Sequence, residues 1–358
     1  MPIPALRIAQ VAPPFEAVPP VAYGGTERIV GTLVTELQHR GHDVTLFASG
    51  DSTAPGRLVP VVPRALRSLG LNTEPAPYLI ATQLAVLRQA SSFDVVHAHL
   101  EFSGLVLARA LATPTVVTFH GRIDQPWSAG LLTDPPDGLV AISASQAYAH
   151  PEVPWSIIHN GLALEGAPFD ERRGDGLCYV GRFMPEKGLV EAIEIARRAG
   201  RHLSVAAKEP STPAEKAYYD ESFGPSVRSA DVEYLGELAG QERDGLLASS
   251  HATLMPGDWP EPFGLVAIES LACGTPVVAR RTGALPEIVR DGIDGIVDDD
   301  VAELSRRLPE IDRIDRAAIR ASVLSRFSAE RMVDAYEALY ARLLGQPEPV
   351  GAGRASRG

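Results

Sequence analysis

Strand and helix patterns alternate along this chain, the alternation pauses once near its middle, and the length exceeds one ordinary core. Together these observations predict an α/β protein of two doubly wound domains. At 358 residues the chain passes the size of about 250–300 residues at which a single core stops growing. Residues 6–11 read as a first strand, short and apolar. Residues 26–40 carry Ile29, Leu33, Val34 and Leu37 at helical spacing, which predicts a helix with one buried face. Gly41, His42 and Asp43 turn it into a second strand at 44–47. A helix is expected over 79–89, and strands at 95–99, 115–119 and 138–142. These strands are apolar on both faces, as in a parallel sheet wrapped by helices.

The pause comes at residues 164–175, rich in Gly, Pro and charge. The pattern then restarts with a strand at 177–180, a helix at 189–199, and strands at 203–207, 232–235 and 252–255. Leu265 to Ala272 is helical in spacing, and Gly274, Thr275 and Pro276 stop it before a strand at 277–279. A last helix is expected over 329–344. The predicted domains are residues 1–168 and 169–328, with 329–344 packing back on the first and 345–358 a disordered tail.

The net charge of −12 argues against sequence-independent nucleic-acid binding, which needs a basic face. Membrane association is not indicated, since no stretch reaches about 18 unbroken apolar residues. Cys178 and Cys273 are far apart and lack metal-ligand spacing, so they read as core residues of a reducing compartment. The opening segment lacks the plan of a signal peptide, and a cytoplasmic protein is expected. The oligomeric state is not readable. The first lysine of the chain is Lys187.

Four motifs fall at strand ends, where parallel sheets bind ligands. Tyr23-Gly24-Gly25-Thr26-Glu27 joins the first strand to the first helix; paired glycines admit a ligand close to backbone, and a helix start receives an anion. The fingerprint Gly-x-Gly-x-x-Gly is absent, which speaks against a nicotinamide dehydrogenase. His120 closes an apolar strand in Thr118-Phe119-His120-Gly121. His97 and His99 lie on a neighbouring apolar strand and read as packing residues. In the segment from Gly181 to Gly188, Arg182 and Lys187 flank a tight turn, where a planar fork and a point charge could meet on one anion. Glu261 and Glu269 stand eight residues apart. Glu261 is placed on a loop lip and Glu269 a turn inside an apolar helix, where it needs a ligand hydroxyl or a basic neighbour. The N–H groups of Gly264, Leu265 and Val266 would point out of that helix start.

These motifs, in this order, resemble those of the retaining glycosyltransferases of family 4, with the GT-B architecture of two Rossmann-like domains facing across a cleft. The resemblance covers nearly the whole chain and rests on Gly24-Gly25, residues 118–121, Asn160-Gly161, Gly181-Arg182-Phe183 with Lys187-Gly188, and the Glu261–Glu269 pair. It implies an acceptor domain first and a nucleotide-sugar donor domain second. It implies a catalytic set of Arg182, Lys187, His120 and Glu261, with the two cations on the donor diphosphate, Glu261 on hydroxyls of the donor sugar, and His120 near the reacting sugar. Donor contacts are implied for Gly24, Gly25, Gly181, Glu237, Leu238, Phe263, Gly264, Leu265, Val266 and Glu269, the last on the ribose. Tyr23, Phe102, Asp124 and Trp127 are expected to wall the acceptor. The chain departs from the pattern at Ala207, where a glycine is usual, and at Ala163, where an aspartate often stands. The reaction implied is transfer of a sugar from a UDP- or GDP-sugar to an acceptor hydroxyl with retained configuration, with no cofactor and no metal. The rival expectations are a GT-B nucleotide-sugar epimerase and a non-catalytic sugar-nucleotide-binding protein.

Overall fold

The computed structural model describes residues 3–21, 24–71, 74–172, 174–210, 212–227 and 231–347. It divides into two compact units, one ending at Ala163 and resuming at Phe327, the other spanning Leu164 to Arg326. The first unit holds seven parallel strands: β1 (Arg7–Val11), β2 (Asp43–Ser49), β3 (Arg57–Val62), β4 (Val95–Ala98), β5 (Thr115–Phe119), β6 (Leu139–Ala141) and β7 (Ser156–Ile157). Their order is β3-β2-β1-β4-β5-β6-β7. The strand order reverses between β1 and β4, and such a switch point is where open α/β sheets bind ligands. Register places Gln10 of β1 beside His97 of β4. Ile8, Val11, Phe47, Val96 and Phe119 are fully buried, as strands covered on both faces require.

The helix Gly25–His39 buries Ile29, Val30, Leu33, Val34 and Leu37, the stripe its sequence spacing predicts. The chain's last helix, Ala329–Leu343, belongs to this first unit and packs on Gly25–His39. Ser328 caps it by accepting from the Arg331 N–H. Arg40 donates to Asp334 at 2.6 Å and to Glu337 at 2.8 Å, and His42 lies 2.9 Å from the second oxygen of Glu337.

The second unit repeats the plan with six parallel strands: β8 (Leu177–Gly181), β9 (Leu203–Ala207), β10 (Val232–Gly236), β11 (Ala252–Met255), β12 (Val277–Arg280) and β13 (Gly295–Asp298). Their order is β10-β9-β8-β11-β12-β13, that of the first six strands above. The protein is therefore α/β, with two Rossmann-like parallel-sheet domains. Three strands carry no clear sequence signal. β3 is half-exposed and holds Pro60, β7 is two residues long, and β13 is four residues between glycine and acids. Residues 348–358 of the expected disordered tail lie outside the described residues.

One buried cation fastens the second unit. Arg316, 3% exposed, donates to the carbonyls of Asp170, Ala248, Ser250 and Cys273 and to the Thr275 hydroxyl. Ala248 and Ser250 close the helix Gly240–Ser249, Cys273 caps Leu265–Ala272 and Asp170 lies in a loop, so one guanidinium satisfies what two helix ends and a loop leave open. Arg316→Met should strand them in an apolar site and destabilise the unit by about 3 kcal/mol, read as a lower urea midpoint for the unfolding of this unit.

Candidate functional site

In the second unit the strand ends of β8 and β11 form the switch point. From β8, Gly181 leads into the single turn Pro185–Lys187, then Gly188, then the helix Leu189–Ala199. Gly188 has φ 75°, and a Cβ there would lie 2.5 Å from Gly257 Cα, so the turn can sit this close to the β11 loop only with glycine. The Trp259 N–H donates to the Glu186 carbonyl at 2.9 Å, tying the two loops together. The Lys187 ammonium donates to Glu261 Oε1 and stands 5.2 Å from the centre of the Trp259 ring. Tyr179, Val180, Leu254 and Met255 line the pocket that Lys187 and Glu261 border. Strand–turn–helix and loop lip thus stand where the sequence puts them.

The sequence suggests that Arg182 and Lys187 meet on one anion. In this structure each has a carboxylate of its own. Arg182 lies 3.9 Å from Glu215 and donates to the Met184 sulfur at 2.9 Å, while Lys187 pairs with Glu261. Glu215 escaped sequence reading because its own job is local: with Thr212 it forms the capping box of the helix Pro213–Tyr218.

The helix Leu265–Ala272 starts from Gly264 at φ 104° with no side-chain cap, which leaves its first N–H groups to other acceptors. Phe263 is 2% exposed, so its side chain is core and what it can offer outward is backbone. Glu269, 5% exposed, lies 3.2 Å from Arg243, which is the basic neighbour its burial requires. Arg243 sits in the helix Gly240–Ser249 and is steadied by Asp244 at 2.9 Å. After β10, Gly236 takes φ 75°, Glu237 is exposed and Leu238 half-buried. A Cβ at Gly181 would lie 2.7 Å from the Tyr179 hydroxyl.

In the first unit Tyr23 lies outside the described residues. Gly24 is required by space, since a Cβ would lie 2.8 Å from Pro20, and Gly25 opens the first helix. Glu27, one turn on, is buried, and that burial lifts its carboxyl to about 7. Asn160 is 3% exposed, and its Oδ1 has no hydrogen-bond partner among the described residues.

His120 stands at the end of β5 and connects to a buried polar chain. Its Nε2 lies 2.9 Å from His99 Nδ1, and His99 Nε2 lies 2.9 Å from Gln10 Oε1. The Gln10 amide nitrogen reaches Tyr340 Oη and His97 Nδ1, both at 3.3 Å. Tyr340 Oη lies 2.7 Å from His97 Nδ1, His97 Nε2 2.8 Å from Thr118 Oγ1, and Thr118 3.0 Å from Tyr336 Oη. A carbonyl accepts, so His99 donates from Nε2 and must accept at Nδ1. His120 then carries its proton on Nε2 and keeps Nδ1 as an acceptor. Burial holds His97 and His99 well below the ordinary imidazole value and takes His120 down to about 3. The packing role expected for His97 and His99 is thus a hydrogen-bonded one. Sequence reading missed Gln10, Tyr336 and Tyr340, because a polar residue in an apolar strand or helix carries no partner label.

Beside His120, Glu101 opens the turn after β4. Its Oε1 accepts the N–H groups of His120 at 3.0 Å and Gly121 at 3.1 Å. Burial lifts its carboxyl to about 7, against the two N–H groups. No motif or spacing marks it out beforehand. Phe102 packs edge-on against Trp127, ring centres 4.8 Å apart, and Trp127 is 56% exposed. Asp124 is exposed and paired with Arg122 at 2.8 Å.

Residues 23–165 match the model described as Glycosyltransferase Family 4, and residues 173–311 that of Glycosyl transferases group 1. A D-inositol 3-phosphate glycosyltransferase of Mycobacterium bovis is 30% identical over 91% of this chain and 82% of its own. A glycogen synthase of Mycobacterium tuberculosis is 28% identical over 78% and 79%. The crystal structure of AviGT4, a glycosyltransferase involved in avilamycin A biosynthesis, superposes with a TM-score of 0.72 at 27% identity, covering 96% of this chain and 99% of that one. Anabaena HepE in complex with UDP-glucose shares the fold, with a TM-score of 0.71 at 17% identity over 95% and 99%. The chain belongs to glycosyltransferase family 4, with the GT-B architecture. Its chemistry is glycosyl transfer.

The buried chain makes two checkable demands. Tyr340→Phe removes the hydroxyl shared by Gln10 and His97 and should destabilise the protein by about 1–3 kcal/mol, measured by denaturant titration. The three imidazoles are neutral when folded, whereas the unfolded chain takes up their protons below its ordinary value of 6.5. Their contribution to stability is therefore full above that pH and drains as pH falls toward 3. Imidazole nitrogen shifts in labelled protein should show no titration of these three between about pH 8 and 5.

Proposed function

We propose that this protein moves a hexosyl group from a nucleoside-diphosphate sugar, UDP- or GDP-linked, to an acceptor hydroxyl with retention of anomeric configuration. The observation that carries this reading is the pairing of Lys187 with Glu261 at the second unit's switch point, next to a helix start with no side-chain cap. An ammonium held by one carboxylate is ready to exchange that partner for a diphosphate oxygen, and the freed carboxylate is then an acceptor for sugar hydroxyls. The complex of Anabaena HepE with UDP-glucose makes UDP-sugars the first donors to try.

As the bond from the anomeric carbon to the phosphate oxygen breaks, negative charge grows on the diphosphate. Lys187, Arg182 and the N–H groups of Gly264, Leu265 and Val266 are assigned to neutralise it, and the reading gives no part of that task to a metal ion. The acceptor oxygen bonds the anomeric carbon on the same face, and its proton passes to the departing phosphate oxygen. Glu269, braced by Arg243, is assigned to the ribose hydroxyls. Gly181, Glu237 and Leu238 border the nucleotide, and Gly24 and Gly25 close on phosphate or acceptor. His120 offers Nδ1 to a hydroxyl of the reacting sugar, and Phe102, Asp124 and Trp127 wall the acceptor.

Lys187→Ala should lower kcat by about 10²-fold or more, the size of lost transition-state electrostatics; unchanged turnover would remove Lys187 from the mechanism. Glu269→Ala should weaken UDP or GDP binding by about tenfold, one hydrogen-bonded contact in free energy. A nucleotide dissociation constant equal to the parent's would refute the ribose assignment. Proton NMR of the first-formed product reads retention or inversion directly.

A further inference from the structure

We infer that the acceptor is a neutral polyhydroxylated molecule gripped by Glu101 against the Trp127 ring, and that Glu101 turns phosphorylated acceptors away. The inference rests on the glycosyl-transfer reading and specifies what it leaves open, the chemistry of the acceptor.

Glu101 takes φ 53°, one of two non-glycine residues with positive φ among the described residues. That backbone suits glycine or asparagine. What glutamate adds there is a carboxylate, and strain of this kind gathers where a side chain must be aimed. Oε1 is fixed by the His120 and Gly121 N–H groups. Oε2 has no hydrogen-bond partner among the described residues. A Cβ at Gly121 would stand 3.6 Å from it, so the glycine leaves the approach to this oxygen bare. In its ionised form, which prevails above its value of about 7, this carboxylate accepts from a hydroxyl and has nothing to donate to an anion.

The neighbours agree with a sugar-like ligand. Phe102, next in sequence, holds Trp127 edge-on, and Trp127 presents an exposed indole. An aromatic face suits the C–H side of a sugar ring, while hydroxyls need acceptors at its edge. His120 is neutral, with Nδ1 as an acceptor. The one cation in residues 120–127 is Arg122, and Asp124 already takes it through two hydrogen bonds. The chain has no lysine before Lys187. A phosphate here would face a carboxylate with one oxygen already committed. A neutral acceptor would differ from the phosphorylated one named for the relatives described as D-inositol 3-phosphate glycosyltransferases.

The test uses the full-length protein, UDP- and GDP-glucose as donors, and matched acceptor pairs: myo-inositol with inositol 3-phosphate, glucose with glucose 6-phosphate, mannose with mannose 6-phosphate. Transfer is followed by mass spectrometry, and Trp127 fluorescence reports acceptor binding without turnover, with Trp127→Phe as the blank. Neutral members should be favoured over their phosphorylated partners by about tenfold or more in kcat/KM or in binding, about 1.4 kcal/mol. Glu101→Gln keeps an oxygen for the two N–H groups and removes the charge, so it should shrink that ratio severalfold. A preference for phosphorylated partners, an unchanged ratio in Glu101→Gln, or no fluorescence response to any neutral acceptor would each overturn the proposal. Those results leave the donor reading standing when Lys187→Ala still abolishes turnover or donor hydrolysis. If Lys187→Ala leaves turnover unchanged, the transfer mechanism itself fails, while the fluorescence ratio still judges Glu101.

Discussion

The contact between Lys187 and Glu261 joins two loops that leave adjacent strands and run apart. β8 and β11 are parallel neighbours on either side of the point where strand order reverses. Each hands its chain to a different connection, and the gap between them would be filled by water or by core residues in a plain sheet. Here an ammonium and a carboxylate occupy it over an apolar floor of Tyr179, Val180, Leu254 and Met255. Neither charge could be kept so near that floor alone. Glycine at 188 and 257 lets the two backbones approach until the pair can form. The pair satisfies itself in the absence of substrate and is replaceable part by part in its presence.

The first unit solves a different problem. Polar side chains from β1, β4 and β5 and from the C-terminal helix are buried together and satisfy one another in a continuous line. Burial makes each imidazole neutral, and neutrality makes each a donor on one nitrogen and an acceptor on the other. The proton at His120 is thereby set by the buried residues His99 and Gln10. A half-satisfied line would cost more than an apolar core of the same shape.

Much of this architecture was legible in the sequence. The helices at 189–199 and 265–272 end where spacing and glycine end them. The two-sheet plan follows from alternation alone, because parallel strands need crossovers. β3 was not legible because this edge strand is half-exposed, and β13 because, though buried, it is only four residues long. At the site, Glu261 and Glu269 stood out as acids among apolar residues, and glycine-flanked cations announced a turn. Glu101, Arg243 and Glu215 did not, because what matters about them is a partner found only after folding. Arg182 and Lys187 are close in sequence, yet each turns to a different carboxylate, a choice that spacing does not encode.

The C-terminal helix has a consequence for how the chain comes off the ribosome. Its tyrosines complete the polar line that begins at Gln10, and its Glu337 receives Arg40 and His42. The first sheet is synthesised early but stays short of its last structural piece until the final turn of helix emerges. Residues 164–326 form a compact unit whose six strands pair among themselves. The first unit therefore closes its sheet with residues from both ends of the chain, while the second is continuous in sequence.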